Sequence, residues 1–377
     1  MKRLISAVLT FAMLITMFVV PVTGTSAKTT KKVPNTYIAT NRSYAVKNGS
    51  VFSFDKGKLQ YRTKQGKTKT LAKFSDLYTC KYYVRSNTVY YNTNSQKSHC
   101  LMQIGLNGKN KKKLYSSKNS VVMVIGGYGS SVIFQCGEKI CRYKDGKVKT
   151  LVKTDDGGLL SSLTQIFNGK IYYNNKSYDL ATGKTKTFMA DFTYSTKNYL
   201  YFVNSKMDLK RLDKSGKINT VATKITDLNY VDGETVGYCK KNSNNKEVFY
   251  RRTGVKNKAV QLCTWNDIYS KIKNKDGLKS SSMHSVTMEI AGGKVYLSPL
   301  VMGGMEYDEK TGTFSDFIFR QSLLSVPVKG GTPKMIYECK GYDGIKVMTI
   351  NNKLQYKVIK NLYDLKNNLY EDVFSMM

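Results

Sequence analysis

A two-residue turn followed by a strand of β-branched and aromatic residues occurs eight times along the 377-residue chain. The turns are built from Asn, Gly, Asp, Ser and Lys, and Asn-Gly, Asp-Gly and Gly-Gly pairs supply the positive φ that two-residue hairpins need. Their mean spacing is about 43 residues, close to the period of four-stranded propeller blades. The turns lie at residues 48–49, 86–87, 129–130, 168–169, 197–198, 232–233, 292–293 and 351–352.

A second motif follows most of these copies and consists of a strand, a Gly turn rich in Lys and another strand. An apolar run before the first turn completes each unit, so each unit is predicted to form four short antiparallel strands. One such sheet cannot bury both of its faces alone, and neighbouring sheets must stack on it. The second turns lie at residues 65–67, 107–109, 145–147, 182–184 and 215–217, around Gly254, at 330–331 and, in degenerate form, at 367–368.

The sequence therefore predicts an all-β fold, a single β-propeller of four-stranded antiparallel blades with eight blade units. Seven blades with a split closing blade is the alternative. The propeller is expected over residues 37–373, with insertions at about 263–283 and 301–320 and a tail at 374–377. The one helix candidate runs from Trp265 to Lys273.

The pattern of a turn, a strand such as Val89-Tyr90-Tyr91 or Ile171-Tyr172-Tyr173, and a Gly-Lys turn resembles bacterial secreted propellers of unknown function. Those propellers are related to the YWTD propellers. The resemblance covers most of the chain and implies the architecture. The tetrapeptide Tyr-Trp-Thr-Asp is absent, so no YWTD ligand site is transferred to this chain.

The first segment has the pattern of a secretory signal peptide. Lys2 and Arg3 precede an apolar run that Pro21 interrupts, and small residues follow up to Ala27. We expect cleavage after Ala27, with a short basic linker at residues 28–36, and an uncleaved anchor is the alternative. The mature protein is expected to be secreted and extracellular, associated with the cell wall and without a transmembrane anchor.

Lysine dominates the charge of the chain, which has 61 Lys and Arg against 26 Asp and Glu and a formal net charge of +35. In a propeller the tight turns and the Lys-rich turns share one face, so the lysines would form a cationic rim. Such a rim attracts polyanions, although lysines on outer strands also serve simply to keep sheet edges soluble. The candidate polyanion-binding residues are Lys67, Lys109, Lys111, Lys112, Lys113, Lys147, Lys184 and Lys217.

Both insertions belong to the seventh unit and are expected on the face opposite the Lys-rich turns. Long loops on a rigid scaffold often carry function, and the combination of aromatic and carboxylate side chains suits sugar or peptide binding. A small hairpin is predicted around residues 310–312. The alternative for Trp265 is that it packs the insertion onto the blade. The candidate ligand-binding residues are Trp265, Asp267, Tyr269, His284, Tyr307, Asp308 and Phe314.

The seven cysteines leave at least one unpaired. Cys136 and Cys141 form the candidate disulfide, and the alternative is that all the cysteines are small core residues. With two His and no motif for a phosphate loop or a calcium loop, no catalytic residue, metal or cofactor is expected.

These features favour a secreted, non-catalytic binding propeller at the bacterial surface, and a secreted hydrolase or lyase with its site on the insertion face is the alternative. The expected partner is a cell-wall polyanion, a glycan or a surface protein. Nucleic acid is not favoured because Arg, the residue suited to base readout, is scarce. We expect a monomer.

Overall fold

The computed structural model describes residues 36–37, 44–47, 50–55, 58–63, 65, 67–73, 81–95, 98–154, 164–190, 192–273, 278, 283–303, 307–308, 313–314, 318–341, 343–350 and 352–360. These residues fall into two compact units, one up to Ser205 and the other from Lys206 onward. The expected signal peptide at 1–27, nearly all of the linker at 28–36 and the tail at 374–377 lie outside the described residues. No helix among the described residues is long and apolar enough to cross a membrane.

The unit up to Ser205 begins with β1 (Thr36–Tyr37) and contains four complete sheets. Sheet I consists of β2 (Tyr44–Lys47), β3 (Ser50–Asp55), β4 (Lys58–Arg62) and β5 (Thr68–Lys73). Sheet II consists of β6 (Tyr82–Arg85), β7 (Thr88–Asn94), β8 (His99–Gly105) and β9 (Lys112–Ser117). Sheet III consists of β10 (Val122–Tyr128), β11 (Ser131–Cys136), β12 (Lys139–Lys144) and β13 (Lys147–Lys153). Sheet IV consists of β14 (Gln165–Phe167), β15 (Lys170–Tyr173), β16 (Lys176–Asp179) and β17 (Thr185–Thr187).

The chain then forms sheet V and, in the unit from Lys206 onward, sheets VI to VIII. Sheet V consists of β18 (Phe192–Ser195), β19 (Tyr199–Val203), β20 (Leu209–Asp213) and β21 (Ile218–Ala222). Sheet VI consists of β22 (Asp227–Asp232), β23 (Thr235–Lys241), β24 (Glu247–Thr253) and β25 (Val260–Thr264), followed by helix α1 (Trp265–Lys271). Sheet VII consists of β26 (Met283–Ala291), β27 (Lys294–Gly303), β30 (Ile318–Pro327) and β31 (Lys334–Glu338), with the hairpin β28 (Tyr307–Asp308) and β29 (Thr313–Phe314) between its second and third strands. Sheet VIII consists of β32 (Gly344–Ile350) and β33 (Lys353–Ile359).

The predicted fold class is confirmed, because the described chain forms seven antiparallel sheets of four sequential strands in the manner of a β-propeller with seven or eight blades. The eighth unit is present as two strands, and the strands predicted around residues 367–368 lie outside the described residues. One feature was not predicted: β1 adds a fifth strand to sheet II by pairing with β6 through Thr36 opposite Arg85.

Five predicted tight turns join the first and second strands of their sheets, at residues 86–87, 129–130, 168–169, 197–198 and 292–293. In sheet VI the turn lies one residue later than predicted, at Gly233 and Glu234, because Asp232 still pairs with Thr235 in the sheet. Residues 48–49 and 351 of the other two predicted turns lie outside the described residues. Local backbone chemistry explains their positions. Asn168 and Gly169 both have positive φ, 47° and 75°, and Asn and Gly adopt this conformation at the least cost. A slip of one residue would turn each strand's apolar side chains to the wrong face, so these turns also set the register.

Amide side chains join neighbouring sheets at several junctions. In the compact part of the chain up to Ser205, Asn94 in sheet II donates its side-chain N–H to Val122 O in sheet III. Its side-chain oxygen accepts from Val122 N–H, and both bonds measure 3.1 Å. In the compact part of the chain from Lys206 onward, the side-chain oxygen of Gln321 in sheet VII accepts from the N–H of Ile345 in sheet VIII at 2.7 Å. Burial of an amide is tolerated when its hydrogen bonds are made, and here those bonds fix the position of the next sheet's first strand. We call these contacts the amide clamps; two more are Gln165 with Ser195 and Asn229 with Val286.

Candidate functional site

In sheets I to VII, the described sheets with four sequential strands, the Lys-rich turn lies at the same end of the sheet as the tight turn. Hydrogen bonds between the two turns show this directly, since Leu106 N–H donates to Asn87 O at 2.9 Å in sheet II. Sheet VI repeats the arrangement with Gly254 N–H donating to Glu234 O at 2.8 Å. We call this the turn end of a sheet. Sheets IV and VII contain the matching bonds from Leu180 to Gly169 and from Val328 to Gly293.

The candidate lysines of the turn end are all exposed. They lie in or beside the connections between the third and fourth strands of sheets I to V, as the sequence predicts. Few carboxylates accompany them, and the ion pairs between described residues at these ends are wide, with Lys144 Nζ 4.0 Å from Asp145 and Arg211 Nη1 3.8 Å from Glu234. The positive charge is therefore largely uncompensated. The exposed lysines are Lys67, Lys109, Lys111, Lys112, Lys113, Lys147, Lys184 and Lys217.

Turn carboxylates shape the backbone under these lysines. Asp213 Oδ1 accepts hydrogen bonds from Ser215 Oγ at 2.6 Å, Ser215 N–H at 2.9 Å and Lys217 N–H at 3.0 Å. The Ser215 hydroxyl is the main cause of a lowered pKa for the Asp213 carboxyl, which favours its charged form. Asp179 holds the corresponding turn of sheet IV through Ala181 and Thr182. These acids are occupied in building the turns.

The opposite end of sheet VI carries the first insertion, where helix α1 begins directly after β25. The helix starts with a reciprocal capping box, in which Asp267 N–H donates to Thr264 Oγ1 at 3.1 Å and Thr264 N–H donates to Asp267 Oδ2 at 2.8 Å. Such a box satisfies backbone donors that a helix start leaves unpaired. The carboxylate of Asp267, a candidate ligand-binding residue, therefore caps the helix.

Trp265, the first residue of α1, is buried with 5% of its surface exposed and packs in a core cluster with Phe249, Ile268 and Val301. This burial supports the packing role that the sequence leaves open for Trp265, and it contradicts the expectation that its ring lines an open ligand surface. The sequence places an indole next to apolar Ile268 and Ile272 on one side of a short helix, and that side faces the sheets.

His284 connects the insertion to sheet VI. Its imidazole stacks on the Trp265 indole with ring centroids 3.6 Å apart, and its Nε2 lies 2.7 Å from Glu247 Oε2. The hydrogen bond with His284 is the main cause of a lowered pKa for the Glu247 carboxyl. The Glu247 carboxylate and His284 thus form a partly buried pair, with 27% and 19% of their side chains exposed.

A second acidic residue, Asp227, begins the first strand of sheet VI at this same end. Burial raises its pKa to about 6 against the opposing effect of hydrogen bonds from Leu228 N–H and Asn229 Nδ2, both at 2.8 Å. Asn229 also donates to Val286 O in sheet VII. The two carboxyl groups near His284 therefore have pKa values displaced in opposite directions.

The other candidates on this end divide into two groups. The Tyr269 hydroxyl donates to Leu278 O at 3.0 Å and holds the segment after the helix. Tyr307, Asp308 and Phe314 lie in the β28–β29 hairpin, where Tyr307 pairs with Phe314, so the backbone has the small hairpin predicted there. The side chains of these three residues, like residues 310–312 at the hairpin tip, are outside the described part of the structure.

The candidate disulfide between Cys136 and Cys141 is not formed in the structure, in which both residues are buried free thiols. The strand register explains this, because Cys141 lies opposite Phe134 and Cys136 lies opposite Lys139. The Cys136 Sγ instead lies 3.4 Å from the Tyr115 hydroxyl, and that contact is the main cause of a Tyr115 pKa raised to about 12.

Sequence reasoning missed Glu247 and Asp227 as members of the His284 cluster. Glu247 is separated from His284 by 37 positions and follows an ordinary Asn-rich turn. No local signal in the sequence connects these residues, since their proximity comes from the stacking of sheets VI and VII.

Comparisons with known proteins give structural similarity without a family. No family model matches the chain, and no curated protein matches it. TolB from Acinetobacter baumannii has 15% identity and a TM-score of 0.34, covering 52% of this chain and 57% of that chain. An uncharacterised protein of Listeria monocytogenes has 11% identity and a TM-score of 0.39, covering 83% and 87%. A prolyl endopeptidase has 10% identity and a TM-score of 0.45, covering 81% of this chain and 51% of that chain. This chain thus spans little more than half of TolB and of the prolyl endopeptidase, and the fold assignment depends on its own strands.

Proposed function

We propose that this protein is a secreted, non-catalytic binding propeller that holds an anionic polymer of the bacterial cell surface at the turn ends of its sheets. A glycan or a surface protein with a similar density of negative charge is bound in the same way. Secretion rests on the leader from Lys2 to Ala27, and the resemblance to bacterial secreted propellers related to the YWTD family agrees with it.

The observation that carries the proposal is the exposure of lysines at one end of successive sheets, above turns whose carboxylates are already hydrogen-bonded. A polyanion gains free energy there by releasing its counterions. Lysine ammonium groups act as point charges without the forked geometry of arginine. The charge density of the polymer, and not the geometry of its phosphates, therefore governs how tightly it binds to these lysines.

Charge reversal at matched positions tests the proposal. Lys111, Lys112 and Lys113 changed together to Glu should weaken binding of inorganic polyphosphate at ~0.1 M salt, where the Debye length is about 10 Å. The control reverses three exposed lysines at the other end of sheets III and IV, Lys139, Lys153 and Lys176. The control should have a much smaller effect, and binding by the unaltered protein should fall steeply by ~0.5 M salt. If the two variants lose the same amount of polyphosphate affinity, the net charge of the protein alone explains binding. That result would overturn the assignment of the site to the turn ends.

A secreted hydrolase or lyase is the second candidate, and one observation favours it. Asp227 has a pKa raised to about 6 by burial, whereas the pKa of Glu247 is lowered mainly by its hydrogen bond with His284. Carboxyl groups with displaced pKa values are a feature of acid–base sites. Release of reducing ends or of unsaturated products from purified cell-wall glycans, abolished by Asp227→Asn, would support an enzyme. The absence of turnover over a wide pH range would leave the binding role.

A further inference from the structure

A cavity of about 540 Å³ opens at the turn end of sheets I and II. We infer that it is a subsite for the neutral, hydroxyl-bearing units of a phosphate-linked polymer, such as sugar or polyol units. The inference rests on the proposed function for the anionic character of the polymer and adds a site that reads the uncharged part. The cavity lies within the size range of small-molecule sites. Its lining includes Tyr61, Asn87, Gln103, Gly105, Asn107 and Asn110.

Unused amides dominate the polar lining of the cavity. Within the described part of the chain, the side-chain amides of Asn87, Gln103 and Asn110 form no hydrogen bond with other protein groups. Each amide offers one carbonyl acceptor and two N–H donors. A sugar or polyol hydroxyl is both a donor and an acceptor, so neighbouring hydroxyls are matched by an amide. These amides are neutral and therefore have no preference for a phosphate.

An aromatic residue, Tyr61, lines the cavity. Tyr61 in β4 is held by Phe52, whose ring centroid is 4.9 Å away, and by a hydrogen bond from its hydroxyl to Ser50 Oγ at 3.4 Å. A fixed tyrosine presents an apolar surface with little conformational freedom left to lose. Such a surface suits the C–H groups of a sugar ring while the amides take the hydroxyls.

The lysine ammonium groups lie around the cavity and not inside it. The Lys69 ammonium donates to Asn107 O, and Lys109 N–H donates to Asn107 Oδ1 at 2.9 Å, so the turn from Gly105 to Lys109 is fixed before a ligand arrives. Lys111 follows on the same exposed connection, and Lys112 begins β9 directly after it. A polymer that alternates phosphate with sugar or polyol can place its phosphates on these lysines and a neutral unit between them.

The same lining disfavours other ligands. None of the described lining residues is a carboxylate, so they do not suit a divalent cation, which prefers such oxygen ligands. None of these residues carries a charged side chain either, so a lone phosphate is held better outside. An apolar ligand would leave three amides without partners, at a cost in binding free energy.

Two probes with the same number of phosphates test the inference. One is inorganic polyphosphate, and the other is poly(glycerol phosphate) carrying glucose. The unaltered protein should bind the glucosylated polymer about tenfold more tightly than a variant without the cavity amides does, the effect expected from one or two net hydrogen bonds. The cavity variant combines Asn87→Ala, Gln103→Leu and Asn110→Gly; glycine is chosen because Asn110 has a φ of 59°.

In the cavity variant, binding of polyphosphate should stay within twofold of the unaltered protein while binding of the glucosylated polymer weakens about tenfold. Gln60→Leu is the matched control. Gln60 is half-buried on the third strand of its sheet, as Gln103 is, and as the neighbour of Tyr61 in the strand it faces the other side of sheet I. Gln60→Leu should leave the affinity for both polymers unchanged. Circular dichroism and Tm confirm that both variants fold.

The outcomes separate the two proposals. Equal affinity of the unaltered protein and the folded cavity variant for the glucosylated polymer would overturn the cavity subsite and leave the charge-based function standing. Loss of polyphosphate binding in the folded cavity variant would also overturn it, because the effect would then not be specific to the neutral units. Tight, salt-resistant binding of the glucosylated polymer alone would support the cavity and overturn the electrostatic proposal. Failure to bind either polymer would overturn both.

Discussion

The imidazole of His284 lies parallel to the indole of Trp265, with an angle of 3° between the ring planes. The histidine is the second residue of β26 and the tryptophan is the first residue of α1, so this one contact joins the helix to the first strand of the next sheet. Glu247 on the far side fixes the orientation of the imidazole. The arrangement connects three parts of the chain through one residue.

Replacing Trp265 is expected to unfold the insertion end and not to remove a ligand contact. Trp265→Ala should lower the free energy of unfolding by about 3–5 kcal/mol, the usual cost of truncating a buried large aromatic. Tyr356→Ala, at a residue that is 45% exposed, should cost less than about 0.5 kcal/mol. Urea denaturation measures both values. A small loss of stability for Trp265→Ala together with lost polymer binding would restore the ligand-contact interpretation.

Asp227 predicts a pH dependence of stability with a definite sign. Its folded pKa of about 6 lies above its usual value, so the folded state retains a proton that the unfolded state releases. Stability therefore declines as pH rises between about 4 and 6. Asp227→Asn should make this part of the curve flatter in calorimetry at closely spaced pH values. Parallel curves for the two proteins would contradict the raised pKa.

Glu247 predicts the opposite sign at lower pH. Because its pKa is lowered from 4.5 chiefly by the hydrogen bond with His284, its stabilising contribution is present above that value and is lost as pH falls below it. The acid-induced fall in Tm should be shallower in Glu247→Gln than in the unaltered protein. An identical fall in Tm at acid pH in the two proteins would show that the Glu247–His284 pair does not stabilise the fold.

Breaking an amide clamp should destabilise the fold. Asn94→Ala leaves both the N–H and the C=O of Val122 without their side-chain partner in a buried setting. The expected loss is about 2–4 kcal/mol, from two unsatisfied groups at roughly 1–3 kcal/mol each reduced by local relaxation. Asn244→Ala, at an exposed turn residue, is the control and should be nearly neutral. Chemical denaturation compares the two, and equal stabilities would refute the structural role of the clamp.

The cysteines should behave as buried thiols. Burial raises the pKa of Cys239, Cys263 and Cys339 to about 12, and a thiolate is the reactive form. Alkylation of the native protein should be slow, whereas unfolding without a reductant should allow labelling of both Cys136 and Cys141. Mass spectrometry of the peptides measures this. A pair that stays unlabelled until reduction would establish the disulfide that the structure lacks.

The tight turns and the Lys-rich turns could be predicted from the sequence because their signals are local. A pair such as Asn168 and Gly169 specifies positive φ through its own chemistry, and the strands on either side follow from alternation. Helix α1 could be predicted for the same reason, since Thr264 and Asp267 form a capping pattern within four residues.

The contacts between sheets could not be predicted in this way. Asn94 and Gln321 look like ordinary polar residues of strands, and their burial becomes visible only when the next sheet is in place. Glu247 and His284 meet for the same reason. The cavity beside Tyr61 also forms only where two sheets meet. The lysines of the neighbouring turns, by contrast, could be recognised from the sequence. The role of an aromatic residue such as Trp265 is hard to predict from the sequence. The same side chain serves equally well in a core and in a ligand-binding surface.

The shared position of the two turns in each sheet has a consequence for how such a chain can vary. The Lys-rich turn directly precedes the last strand, so the chain leaves a four-stranded sheet at the opposite end, as β25 does before α1. Because four is an even number, the chain also enters the sheet at that end. Duplication or loss of a whole unit preserves this polarity in every later unit. Loss of a single strand would reverse it, and all downstream lysine turns would change ends. Segments added between units emerge away from the lysines, so the two ends of the sheets can diversify independently.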